Sequence, residues 1–167
     1  MRVPGSINRW DGDMTYFDYT ESGSSDSQSD QVTVLEGLSK DEWAMVIRHA
    51  RSIPFTQGEI LLKEGEIDDA VYIVVSGQVE VISSRAFGRV KRIATIDEGS
   101  VFGEVAFFDT KPRSASVRAV GDGQVLRLSR KGFEQILAWN PRLALQFLFD
   151  LGSILAYRFR REFPYKI

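Results

Sequence analysis

The 167 residues predict a mainly β fold: a jelly-roll-like β-roll with an N-terminal helix, a short helix set into the roll and two C-terminal helices. Three observations carry this expectation. Apolar residues repeat at helical spacing between Ser39 and Arg51. They shift to a period of two, in short runs punctuated by glycine, from Pro54 to Leu128. Helical spacing returns after Ser129.

Ser39-Lys40-Asp41-Glu42 is a capping box, with a glutamate three residues after the cap. Trp43, Val46, Ile47 and Ala50 then form one apolar face, giving a helix over Lys40 to Arg51. Strands are expected at Glu59–Lys63, Ala70–Val75, Gln78–Ser83, Val90–Ile96, Arg113–Val120 and Gln124–Leu128. The turns between them fall at Glu64-Gly65, Ser76-Gly77, Phe87-Gly88, Glu98-Gly99 and Gly121-Asp122-Gly123. Ser129 caps a helix running to Trp139, which Asn140-Pro141 breaks. A last helix runs from Arg142 to about Glu162. Its first half (Leu143, Leu145, Phe147, Leu148, Phe149, Leu151) is apolar on nearly every side, which implies a second covered face beyond the roll.

Composition narrows the chemistry. The chain has no cysteine, so disulfides, thiolate nucleophiles and cysteine metal sites are excluded. Its one histidine, His49, sits near a helix end, where a capping or solvated role suits it; metal cages and a Ser/His/Asp triad have no imidazole to use. We expect no metal, no cofactor and no catalysis. Net charge is −2. Much of the negative charge lies in residues 1–33, where Asp11, Asp13, Asp18, Glu21, Asp26 and Asp30 face only Arg2 and Arg9. That segment is read as an acidic, disordered tail, polar and serine-rich from Ser22 to Asp30, with Trp10, Tyr16, Phe17 and Tyr19 among its acids. The ordered domain is expected over 34–162, with a tail at 163–167. No apolar run approaches the ~18 residues of a membrane span, and the start lacks a signal pattern, so a cytoplasmic location is expected.

One stretch interrupts the strands: Phe102-Gly103-Glu104-Val105-Ala106-Phe107-Phe108, then Asp109-Thr110-Lys111-Pro112, then Arg113-Ser114-Ala115. A short helix here would aim its first free N–H groups, at Glu104 to Ala106, into the roll, an arrangement suited to a phosphate. Gly103 permits close backbone approach. Arg113 offers a permanent planar cation. An ionised Glu104 only accepts hydrogen bonds and so suits a sugar hydroxyl.

With GEILLKEGE, AVYIVVSGQVEV and DEGSVFGE upstream, this segment resembles the phosphate-binding cassette of cyclic-nucleotide-binding domains, the β-rolls of catabolite activator protein and protein-kinase-A regulatory subunits. The resemblance covers about Pro54 to Phe159. It implies that Glu104 accepts the ribose 2′-hydroxyl, that Arg113 anchors the cyclic phosphate, and that Gly103, Val105, Ala106, Ser114 and Ala115 complete the cradle. Val81, Ile93 and Phe102 match pocket-wall positions. The implied function is a sensor for a cyclic nucleotide, cAMP favoured over cGMP because Ser114 resembles the cAMP-responsive activator. Occupancy would pass through the final helix, which also offers a homodimer surface over 142–162, to a downstream protein.

Two readings compete with this one. Glu104 and Arg113 could be a plain ion pair in a degenerate roll that serves as a protein-interaction module. Alternatively, Arg158, Arg160, Arg161 and Lys166 could mark a DNA-binding protein. A solvated helix end explains that basic cluster more simply, and DNA binding by this chain is not expected.

Overall fold

The computed structural model describes residues 33–86 and 89–162. Residues 1–32 of the expected 1–33 tail, the expected tail 163–167 and the turn at Phe87-Gly88 lie outside them. Twelve elements follow in order: α1 (Lys40–His49), β1 (Arg51–Phe55), β2 (Ile60–Leu62), β3 (Val71–Ser76), β4 (Val79–Ala86), β5 (Arg89–Ile96), β6 (Val101–Phe102), α2 (Glu104–Asp109), β7 (Ser116–Ala119), β8 (Gly123–Leu128), α3 (Arg130–Trp139) and α4 (Pro141–Glu162).

The strands form two antiparallel sheets, one ordered β1-β8-β3-β6 and the other β2-β7-β4-β5. β3 shows how they stack. Ala70, Tyr72 and Val74 point between the sheets, where they meet Phe55, Leu62, Phe102, Val117 and Val125. Val71, Ile73 and Val75 point the other way, into a layer with Trp43, Val46, Phe107, Phe133, Leu143, Phe147, Leu151 and Ile154. A strand covered on both faces reads as a continuous apolar run, which VYIVV is. Each large side chain so buried contributes roughly 1.5–3 kcal/mol.

The caps stand where the sequence put them. Ser39 Oγ accepts from Glu42 N–H, and the Glu42 carboxylate accepts from Ser39 N–H at 2.9 Å. The Ser39 backbone and hydroxyl bonds hold the Glu42 carboxyl below its usual range. Ser129 Oγ accepts from Gly132 N–H at 3.1 Å. Asn140 ends α3 and starts α4, its Oδ1 accepting from Leu143 N–H at 3.1 Å. Pro141 then occupies the first helical turn, where its missing donor costs nothing.

Several boundaries differ from expectation. α1 stops at His49, because residues 51–55 pair with β8, from Arg51↔Arg127 to Phe55↔Gly123. The strand expected from Arg113 begins only at Ser116; Arg113 instead exchanges backbone hydrogen bonds with the Gly65–Glu66 loop. Two-residue β6 was not anticipated; it pairs with Tyr72 and Ile73 of β3. Among the described residues no helix is long and apolar enough to cross a membrane.

Candidate functional site

A cavity of about 290 Å³ opens between the second sheet, α2 and the end of α4. Leu62, Val81, Ile93, Ala94, Ile96, Phe102 and Val117 make its apolar wall, and Gly103 to Ala106, Arg113 to Ala115, Arg158 and Arg161 its polar end. All ten residues singled out from the sequence line it: Gly103, Glu104, Val105, Ala106, Arg113, Ser114, Ala115, Val81, Ile93 and Phe102. Its size stands at the lower end of small-ligand clefts, roughly 300–1,000 Å³.

The polar end is built by backbone geometry. Gly103 takes a left-handed conformation (φ +80°) that turns the chain from β6 into α2. A Cβ there would stand 2.7 Å from Nη1 of Arg113, so glycine is required twice, for the turn and for the guanidinium. The first intrahelical bond is Phe107 N–H to Gly103 O. The N–H groups of Glu104, Val105 and Ala106 therefore have no acceptor within the helix.

Arg113 is 3% exposed. Its Nη1 donates to Gly103 O at 2.8 Å, and its Nη2 to Ala70 O and Asp68 Oδ2, each at 2.7 Å. Its Nε–H is buried and has no partner among the described residues. Glu104 is 5% exposed, and Arg158 Nη1 of α4 donates to its Oε1 at 2.5 Å. Arg158 Nη2 also donates to Val101 O at 2.6 Å. The two charged groups of the motif are therefore not each other's partners.

Sequence reasoning missed Asp68, Tyr72, Arg127 and the role of Arg158. Arg158 is no purely solvated helix end, since α4 lays it against a buried carboxylate. Asp68 gave no signal, lying in an acidic turn like any other. Its partners come from β3, β8 and the loop before β7, up to 59 positions away. Burial would raise the Asp68 carboxyl, but hydrogen bonds from Arg113 and Tyr72 and the charges of Arg113 and Arg127 hold it below its usual range. Tyr72 stacks flat on Phe102, with ring centroids 5.0 Å apart, joining this cluster to the cavity wall. His49 makes one contact of note, Nδ1 to Gln135 Oε1 at 3.1 Å, between α1 and α3.

Residues 52–140, just over half the chain, match the family model of the cyclic nucleotide-binding domain. The chain belongs to that family. It is 36% identical over 108 residues to the cAMP-dependent protein kinase regulatory subunit of Emericella nidulans, covering 65% of this chain and 26% of that protein. Against the cyclic AMP receptor protein of Thermus thermophilus it is 28% identical over 127 residues, covering 76% and 57%. It thus spans about a quarter of the one and little over half of the other. Among solved structures, the Thermus thermophilus catabolite activator protein superposes with a TM-score of 0.66 at 28% identity, over 76% of this chain and 58% of that one. The regulatory domain of Toxoplasma gondii protein kinase A, crystallised with cAMP, gives 0.59 at 27% identity, over 78% and 46%. These relatives are regulatory or cAMP-binding proteins by name.

Proposed function

We propose that residues 34–162 form a sensor that binds cAMP in preference to cGMP and passes occupancy on through α4, without catalysis. The observation that carries this reading is Arg113. A guanidinium lining the cavity, almost wholly buried and with Nε–H unpartnered, carries a desolvation cost of roughly 1–3 kcal/mol or more. A phosphate oxygen would remove that cost. Gly103, Val105, Ala106, Ser114 and Ala115 border the same end and would complete the phosphate cradle, while the Glu104 carboxylate would receive the ribose 2′-hydroxyl beside Arg158. Val81, Ile93 and Phe102 would wall the base and sugar. The preference for cAMP rests on Ser114 and on the cAMP-binding relatives. The reading as a degenerate interaction module has less support, because both charged groups of the motif are present at the cavity.

Calorimetric titration with cAMP and cGMP tests this directly. Arg113→Leu should weaken cAMP binding by at least ~2 kcal/mol, about thirtyfold. Equal affinity in parent and variant would sink the assignment.

α4 supports a second part of the proposal, a homodimer through 142–162. Leu143, Ala144, Phe147, Leu151 and Ile154 are buried against the core. Arg142, Leu145, Phe149, Gly152, Ala156 and Phe159 lie exposed on another face at alternating spacings of three and four. Leu145, Phe149 and Phe159 are 55%, 69% and 55% exposed. A coiled-coil seam has this spacing, and a second copy would cover the face. In sedimentation, Phe149→Glu should convert a dimer to monomer; a parent that stays monomeric at all concentrations removes this part alone. A downstream protein would read the same helix.

A further inference from the structure

The residues that line the cavity do not account for all the charge around Arg113. Asp68 lies behind it with every acceptor position taken. Oδ2 accepts from Arg113 Nη2 at 2.7 Å and from the Tyr72 hydroxyl at 2.8 Å. Oδ1 accepts from Arg127 Nη2 at 2.6 Å and from Ala70 N–H at 3.2 Å. Arg127 Nε donates to the Tyr72 oxygen at 3.2 Å, closing a ring of three side chains, Asp68, Tyr72 and Arg127, to which Arg113 is joined through Asp68. Two guanidiniums share one carboxylate, so the cluster holds one positive charge in excess. The Arg127 side chain is 31% exposed and water screens it, whereas that of Arg113 is 2% exposed and unscreened.

We infer that Arg127, which does not line the cavity, is a positioning residue and an affinity determinant for the anionic ligand. By neutralising Asp68 it leaves the charge of Arg113 uncompensated toward the cavity, and through Asp68 and Tyr72 it holds the Arg113 fork in place. Without it, Asp68 and Arg113 close into a neutral internal pair, and the pull on a phosphate falls. This rests on reading Arg113 as the phosphate anchor.

Arg127→Met keeps a stem over Tyr72 and removes the charge; Arg127→Lys restores the charge; Arg127→Gln stands in if the methionine variant does not fold. In low salt the Kd for cAMP should rise about three- to fivefold in Arg127→Met, the size expected for a partly screened charge, and return most of the way in Arg127→Lys. The deciding readout is a double-mutant cycle. In an Asp68→Asn background there is no carboxylate to neutralise, so Arg127→Met should cost little further affinity. A general electrostatic or stability effect would persist there. An unchanged Kd in Arg127→Met, or an equal loss in both backgrounds, overturns the inference. A ligand-free arm separates this from the functional proposal: the Arg113 Nε–H resonance should exchange with solvent faster in Arg127→Met than in the parent, and slow again in Arg127→Lys. If the parent binds neither nucleotide the functional reading falls, and the exchange rates decide the positioning role by themselves. Equal exchange in all three proteins then refutes it.

Discussion

Replacing Gly103 by alanine perturbs two things, and the molecule contains a reference that separates them. Gly58 has φ +83°, close to the +80° of Gly103, but a Cβ on Gly58 would meet nothing within 4 Å. Gly58→Ala therefore reads the left-handed backbone cost alone, roughly 1–2 kcal/mol. At Gly103 the added carbon would also stand 2.7 Å from Arg113 Nη1 and 3.1 Å from Ala70 O. The guanidinium must give way, weakening at least one charge-assisted bond of roughly 1.5–3 kcal/mol. Gly103→Ala should thus cost ~3–5 kcal/mol in chemical denaturation, against ~1–2 for Gly58→Ala. The displaced Arg113 should also lower cAMP affinity tenfold or more in Gly103→Ala and leave it unchanged in Gly58→Ala. If the two variants lose equal stability and bind alike, the close packing of Gly103 on Arg113 has no energetic weight and the argument fails.

Arg158→Met leaves the nearly buried Glu104 carboxylate without its cation; a loss of ~1–3 kcal/mol is expected, below the full buried-pair value because Arg158 is 32% exposed. Adding Glu104→Gln should recover most of that loss, and thermal melts of the double variant check it. Burial, with Asp97 nearby, holds the Glu98 carboxyl above its usual range despite the Gly77 N–H bond. A raised carboxyl favours the protonated native form, so its cost to stability appears as pH rises through the folded-state value. Glu98→Gln should therefore raise Tm at neutral pH, with the gain fading below about pH 4; an equal gain at both pH values would exclude this origin. Ser39→Ala removes the α1 cap and should cost ~1 kcal/mol, with nucleotide affinity unchanged.

The legible parts of the sequence were those whose cause is local. Ser39 and Glu42 act on each other three residues apart, Gly103 acts on its own φ, and Phe102 to Ala115 form one continuous stretch. The Ser39–Glu42 cap forms as expected, and all ten marked residues line one cavity. What escaped is held by distant partners. Residues 51–55 carry little strand character of their own and become β1 only by pairing with β8. Asp68 and Arg127 are ordinary surface charges until β3 and β8 bring them to Arg113. The failure at Arg113 itself is instructive: its apolar and small neighbours read as strand, but the side chain must turn inward to Asp68, and regular pairing resumes only at Ser116.

The pairing of β1 with β8 also bears on how the chain folds during synthesis. Phe55 has its partner in Gly123, and Arg51 in Arg127, about seventy residues later. At roughly 5–20 residues per second, β1 waits on the order of 4–14 s for the strand that completes it. Loop-closure entropy places such a contact late, and the apolar face of β1 stays uncovered until then. Pro54 is the next-to-last residue of this strand, which lies at the edge of the finished sheet. A residue with no N–H is a poor template for a passing strand. Pro54 therefore makes the edge of β1 a poorer template for mispairing in the interval before its own partner is made.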